Sequence, residues 1–368
     1  MIPVNRPLID DSDLVAVTNA LKETYISGET PNTFEMEKLL CEIIKVKHAV
    51  AVSNGTVAID LMIEALEIKK GDHCVVPNFT IISTVSNLLR KGARVEFIDA
   101  DSETWSIDAI SAVAAVNTKT KVILPVHIYG LPADMDPVMK VAKDNDVFVI
   151  EDSAEALGVK YKNRFCGSIA NASTFSFYAN KIVTGGEGGA ITTNDDNLAK
   201  KLRSLRSLSH GPERFVHENL GWNARISGLS AALISSQLRR LDKLLIKKKE
   251  IASQYLEGLK DHPFLKFMPI KSQHSTNVYW VFPILLNANS PYNAVTLQEK
   301  LRNKGIETRR FFCPMHLQPV IKSYEVIFNS SYEISDDLWR NGLYLPCGLG
   351  TTRSEIDFTV ETLWKLAQ

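Results

Sequence analysis

The stretch Ser173–Thr193, STFSFYANKIVTGGEGGAITT, decides how the rest of the chain is read. An apolar strand, TFSF, runs into the polar pair Asn180-Lys181. Four glycines follow, at 185, 186, 188 and 189, before a second strand, AITT. A lysine set between an aromatic strand and a glycine-rich loop can sit in a dry cleft, because glycine tolerates the tight backbone such a loop needs. Partial desolvation lowers a lysine's pKa from about 10.4 towards 7–8 and turns the amine into a nucleophile. The plain alternative is a surface lysine beside a hairpin turn.

Outward from this stretch, apolar runs of strand length alternate with amphipathic segments. HAVAVSN from His48, DHCVVPN from Asp72, RVEFIDA from Arg94, KVILPVHIYG from Lys121 and VFVIEDSAEA from Val147 all read as buried strands. Between them, Thr56–Leu66, Ile81–Arg90 and Pro137–Asp144 carry apolar residues at helical spacing. The alternation predicts an α/β fold, a mostly parallel central sheet between helices. A long helical stretch is predicted over roughly Leu229–Lys260. A smaller α+β region follows, with a strand at Val278–Leu286, a helix at Thr296–Lys304 and a closing helix after Ser354. The division predicted is a large domain over 1–240 and a small C-terminal domain over 241–368.

In open parallel sheets, chemistry collects beyond the carboxyl ends of the strands. Ser53-Asn54-Gly55-Thr56, His127 and Glu151-Asp152 fall there. SNGTVAID, Ser53–Asp60, is a short turn opening a helix, whose first N–H groups with the Thr56 hydroxyl suit a phosphate; a plain capped helix is the alternative. Asp152, in VIEDSAEALG, ends an apolar strand, where a carboxylate is costly unless paired. A pyridinium nitrogen is a suitable partner, and a cap on the next helix is the alternative. Together the three features supply what pyridoxal phosphate requires: a phosphate cradle, a carboxylate for the ring nitrogen and a Schiff-base lysine.

Composition narrows the field. The 368 residues exceed what one core usually organises, and such a chain buries about 75% of its unfolded surface without staples. Lys+Arg and Asp+Glu both number 42, which argues against nucleic acid as the main partner. Lys247, Lys248 and Lys249 read as a solvated helix face. The five scattered cysteines contain no CxxC, so no metal site or disulfide framework is predicted. No signal peptide or membrane span is read, and the expectation is a cytoplasmic protein. His127 reads more simply as structural than as catalytic. His210 and Arg214 fall on a loop, where contact with a nucleotide phosphate and plain exposure are both open.

The motifs SNGTVAID, VHIYG (Val126–Gly130), EDSAEALG, SFYANKIVTGGEGG, LGWNARIS (Leu220–Ser227) and ETRRFFCPMH (Glu307–His316) resemble those of the DegT/StrS-type nucleotide-sugar aminotransferases. These are fold-type-I pyridoxal phosphate enzymes. The resemblance covers almost the whole length, and within the family the pattern is most similar to the GDP-perosamine synthases. It implies that Lys181 binds the cofactor covalently and shuttles the proton, and that Asp152 holds the ring nitrogen protonated. Glu155 is implied beside the ring, near its phenolic oxygen. Gly55, Thr56 and Ser176 are implied at the phosphate, with Asn223 reaching it from a neighbouring subunit in a homodimer that shares its active sites. Arg309 and His316 are implied on the sugar side of the cleft. The implied reaction moves the amino group of glutamate to a keto sugar nucleotide, a 4-keto-6-deoxy sugar, for surface polysaccharide.

The chain departs from the pattern where Ile81, Val216, Ala224 and Cys313 replace aromatic residues. Those losses leave open a smaller phosphorylated or acyclic ketone as acceptor. A dehydratase of this family has histidine in place of the lysine, and Lys181 argues against that reading. A non-catalytic binding protein on the same fold is the remaining alternative.

Overall fold

A computed structural model describes residues 1–213 and 215–368, so Arg214 lies outside the described residues. The main sheet has eight strands, in the order His48–Val52, Gly189–Thr193, Ala172–Ser176, Phe148–Asp152, Thr120–Ile123, His73–Pro77, Arg94–Ile98 and Val326–Ile327. Five of its seven pairings are parallel, and the two made by Gly189–Thr193 are antiparallel. Every residue of His73–Pro77 is buried. Side chains alternate between the faces of a sheet, so both faces are covered, as a parallel sheet requires. The covering helices include Gly55–Ala65, Ser83–Arg90 and Met135–Asp144.

A second, antiparallel sheet runs in the order Leu265–Phe267, Phe282–Leu286, Gly342–Leu345 and Arg309–Arg310. The helices Ala294–Asn303, Glu333–Asn341 and Arg353–Leu366 belong to the same part of the chain. Several connections tie it to what precedes it. Ile2 bridges to Ile306, and Arg6 forms an ion pair with Glu355 at 2.8 Å. In the other direction, Val326–Ile327 joins the edge of the main sheet beside Arg94–Ile98.

Three sequence expectations need correction. The stretch Leu229–Lys260 is two helices, Gly228–Leu238 and Leu241–Gly258. The break falls at Arg240, whose φ of −117° and ψ of 20° leave the helical region while its guanidinium reaches Asp10 at 3.0 Å and also pairs with Asp13. The lysine cluster is not wholly solvated. Lys249 is exposed and Lys247 half-buried, but Lys248 is only 3% exposed and donates to the Cys347 carbonyl. Leu244, Lys248, Ile251 and Tyr255 share the buried stripe of Leu241–Gly258, and the ammonium is carried inward with them. Finally, the strand beginning near Lys121 ends at Ile123. Val126 keeps one bridge to Asp152, and a 3-10 turn then occupies Ile128–Gly130 with Tyr129 at φ 56°. That turn redirects the Tyr129 N–H from a sheet ladder to the carboxylate of Glu155, at 2.7 Å.

Among the described residues, no helix is long and apolar enough to cross a membrane. The five cysteines are free thiols.

Candidate active site

A cleft of about 690 Å³ opens where the carboxyl ends of the parallel strands meet the second sheet. Gly55, Thr56, Asp152, Glu155, Ser176, Lys181 and Arg309 all line it. Each is delivered by a strand end or the turn beyond it. Asn54 caps the helix Gly55–Ala65, its side chain accepting the Val57 N–H at 2.9 Å. The amides of Gly55 and Thr56 lie in the first turn, where an α-helix has no partners of its own for them. The Thr56 hydroxyl lies 2.9 Å from that of Ser83. A Cβ on Gly55 would come 2.9 Å from the Cβ of Ser176, so glycine lets this helix end close onto the Ala172–Ser176 strand. The same closeness recurs at Gly189, where an added Cβ would meet the Asn54 carbonyl at 2.4 Å.

Asp152 sits opposite Thr174 in the parallel pairing, so the strand that ends in Asp152 also sets the start of the loop to Lys181. Its Oδ1 accepts the Ala154 N–H at 3.0 Å. Burial raises its pKa, opposed by that hydrogen bond and by Lys181. Lys181 lies in a turn closed by its N–H to the Tyr178 carbonyl at 2.9 Å, with its side chain 12% exposed. Its Nζ stands 3.8 Å from Glu155 Oε1 and 3.7 Å from the ring centre of Trp280. Burial lowers the lysine's pKa, against the pull of Glu155 and Asp152. Glu155 is raised to about 7, chiefly by burial, with Lys181 and the Tyr129 N–H acting the other way. The arrangement is a nucleophilic amine of weakened basicity between two buried carboxyl groups.

Beneath the cleft, His127 and Glu151 form a fully buried pair at 2.9 Å. Glu151 also accepts the N–H groups of Gly167, Ile169 and Ala170. With Cys166 they form a group compact enough to hold a metal ion. Its donors are committed, because His127 Nδ1 accepts the Ala133 N–H at 3.2 Å and its Nε2–H is left to face Glu151. This is a structural hub that fixes the strand end carrying Asp152.

Residues 7–364 match the model of the DegT/DnrJ/EryC1/StrS aminotransferase family. The chain belongs to this family. It is 34% identical to a GDP-perosamine synthase of Caulobacter vibrioides over 98% of this chain and 97% of that one. Among solved structures, it superposes on an E. coli GDP-4-keto-6-deoxy-D-mannose-3-dehydratase with bound hydrated PLP at a TM-score of 0.91, with 26% identity and 99% of both chains covered. An aminotransferase of Psychrobacter cryohalolentis gives 0.90 at 28% identity, covering 97% of this chain and 96% of that one. The chain is thus a pyridoxal phosphate-dependent aminotransferase, with the mostly parallel sheet predicted from its strand pattern and the fold-type-I architecture implied by the family resemblance.

The residues present fit that cofactor. A phosphate suits the helix start that Gly55 brings against Ser176. A ring nitrogen suits Asp152, a buried carboxyl group bordering the cleft. A primary amine, that of Lys181, borders the same cleft.

Two predicted site residues are not among those lining the cleft. Asn223 is exposed, although the neighbouring Ala224 carbonyl accepts the Ser53 N–H at 2.9 Å, immediately before the helix start. His316 is directed instead at Asn78, 2.9 Å from Nδ1, and at Asp336, 3.2 Å from Nε2, and it stacks on Tyr332. His210 packs against His217 with ring centres 4.5 Å apart. Ile81 does line the cleft and is 47% exposed there. Sequence reasoning missed Trp280, Tyr178 and Tyr344, which border the same space. Trp280 was absorbed into an apolar run read as strand; the strand begins only at Phe282.

Proposed function

We propose that the protein transfers the amino group of glutamate to the ketone of a nucleotide-linked 4-keto-6-deoxy sugar, as a cytoplasmic homodimer supplying surface polysaccharide synthesis. The observation that carries the reading is the convergence of Lys181, Asp152, Glu155 and the Gly55–Ser176 cradle on one cleft. Support for the substrate comes from the GDP-perosamine synthases at 34% and 33% identity. Exposed Trp222 and Leu220 beside Asn223 support a dimer, since large apolar side chains clustered at a surface favour a covering partner. Residues 1–240 would then form the cofactor-binding part. Residues 241–368 would close the cleft with Trp280, Arg309 and Tyr344.

Bound pyridoxal phosphate supplies an electron sink for the carbon that loses or gains a proton. The chain's residues do the rest. The Gly55 and Thr56 amides with the Ser176 hydroxyl hold the phosphate. Asp152 accepts a charge-assisted hydrogen bond from the ring nitrogen and keeps it protonated. Lys181 would hold the cofactor through Nζ and, as the free amine, would take the proton from the amino-bearing carbon of the substrate or return it there. Glu155, its pKa raised to about 7 by burial and its Oε1 3.8 Å from Lys181 Nζ, orients the ring edge. Arg309, exposed at the cleft rim, meets the anionic part of a substrate. Asn223 contributes to the partner's phosphate site.

The test is Lys181→Ala. It abolishes amino transfer and the visible absorbance of the lysine-bound cofactor. Substantial turnover by that variant defeats the proposal.

A further inference from the structure

Trp280 touches the Lys181 region twice. Its indole face lies over Nζ at 3.7 Å, and its Nε1–H donates to the carbonyl of Asn180, the residue before the lysine, at 2.9 Å. One contact holds the ammonium; the other fixes the peptide from which the side chain departs. The indole is itself immobilised, at 5% exposure. Its backbone N–H donates to the Tyr129 carbonyl at 3.1 Å, and the Val278 N–H to the Gly130 carbonyl at 3.2 Å. The turn so gripped is the one whose Tyr129 N–H holds Glu155. Glu155 and Trp280 therefore flank Nζ from parts of the chain that are docked to each other.

We propose that Trp280 is a positioning residue for Lys181, holding its free ammonium against the indole face and anchoring the Asn180 peptide whenever Nζ is not bonded to the cofactor. The proposal rests on the reading of Lys181 as the covalent lysine. A cation over an indole in a dry site is stabilised by the ring's quadrupole, most strongly of the aromatic side chains. The contact favours the protonated amine and so opposes burial, which disfavours it. With the indole gone, the amine loses its proton at lower pH and its stem is freer to leave the productive rotamer.

The experiment uses cofactor-free full-length protein whose lysines have been reductively methylated with carbon-13. The Lys181 signal is assigned by its loss in Lys181→Arg and titrated by NMR in wild type, Trp280→Phe and Trp280→Leu, with circular dichroism confirming the fold. The predicted order of Lys181 pKa is wild type, then Trp280→Phe, then Trp280→Leu, the last lowered by about one unit. An unchanged or raised value in Trp280→Leu overturns the proposal. Should Trp280→Leu not fold, Trp280→Phe decides: a lowered value supports the role and an unchanged or raised one overturns it. Lysine-bound absorbance persisting in Lys181→Arg would instead overturn the covalent-lysine reading, and it leaves the titration to judge Trp280 separately.

Discussion

Asp152→Asn separates the work of a residue from its cost. The side chain is 4% exposed at the end of its strand, and burial holds its pKa above the ordinary carboxylate value. A carboxyl group of that kind is more readily protonated in the folded chain than in the unfolded one. Its ionisation therefore removes stability as pH rises above the ordinary carboxylate range. Asparagine carries no such charge, and its Oδ1 can still accept the Ala154 N–H. The backbone bonds to the Pro125 carbonyl and from the His127 N–H are untouched. Cofactor-free Asp152→Asn is accordingly at least as stable as wild type at pH 7–8, with any advantage vanishing in acid. With the cofactor bound the balance reverses. A charge-assisted hydrogen bond of roughly 1.5–3 kcal/mol is lost, which translates to roughly a 10- to 150-fold slower conversion by glutamate. Thermal melts of the cofactor-free protein and single-turnover absorbance with glutamate measure the two halves. Wild-type turnover together with reduced cofactor-free stability would refute the reasoning, because Asp152 would then be a structural carboxylate.

Gly55→Ala pushes a Cβ to 2.9 Å from that of Ser176 and parts the helix start from its strand. Cofactor affinity should fall at least about tenfold by equilibrium dialysis, since the displaced amides and hydroxyl supply the phosphate contacts; unchanged affinity contradicts the cradle. Glu151→Ala strands five donors, His127 Nε2, the Ser153 hydroxyl and the amides of Gly167, Ile169 and Ala170, and costs at least about 3 kcal/mol in urea unfolding. A loss below about 1 kcal/mol would remove Glu151 from its place as hub. Arg6→Ala tests the link between the first residues and the last helix. Glu355 is lowered to about 2, first by the Arg6 hydrogen bond. Its stabilisation is present above the ordinary carboxylate value and lost as pH falls towards 2, so the acid-unfolding midpoint of Arg6→Ala moves to higher pH. A midpoint that stays put contradicts that contribution.

The parts of the site legible in the sequence share a property: each stands where an apolar strand gives way to polar residues. Lys181, Asp152, Ser176 and the Gly55-Thr56 turn all follow that rule, and parallel packing brings such ends together. What escaped reading depends on packing between distant segments. Trp280 looks like any other apolar residue in NVYWVF until the chain docks residues 278–280 onto Tyr129 and Gly130. The inward turn of Lys248 needs the Cys347 carbonyl across the core, a partner 99 positions away. The break at Arg240 is set by Asp10 and Asp13 rather than by a glycine or proline. Arg309 and His316 sit seven positions apart in one motif, yet Asn78 and Asp336 draw the histidine aside while the arginine keeps to the cleft.

The most direct test of amino transfer to a keto sugar nucleotide is half-reaction absorbance spectroscopy on the cofactor-loaded protein. Glutamate should convert the lysine-bound cofactor to its amine form, and GDP-4-keto-6-deoxymannose should then restore the original spectrum. Conversion by glutamate that only a different ketone reverses would contradict the substrate. No conversion by any amino donor would contradict the enzyme reading itself.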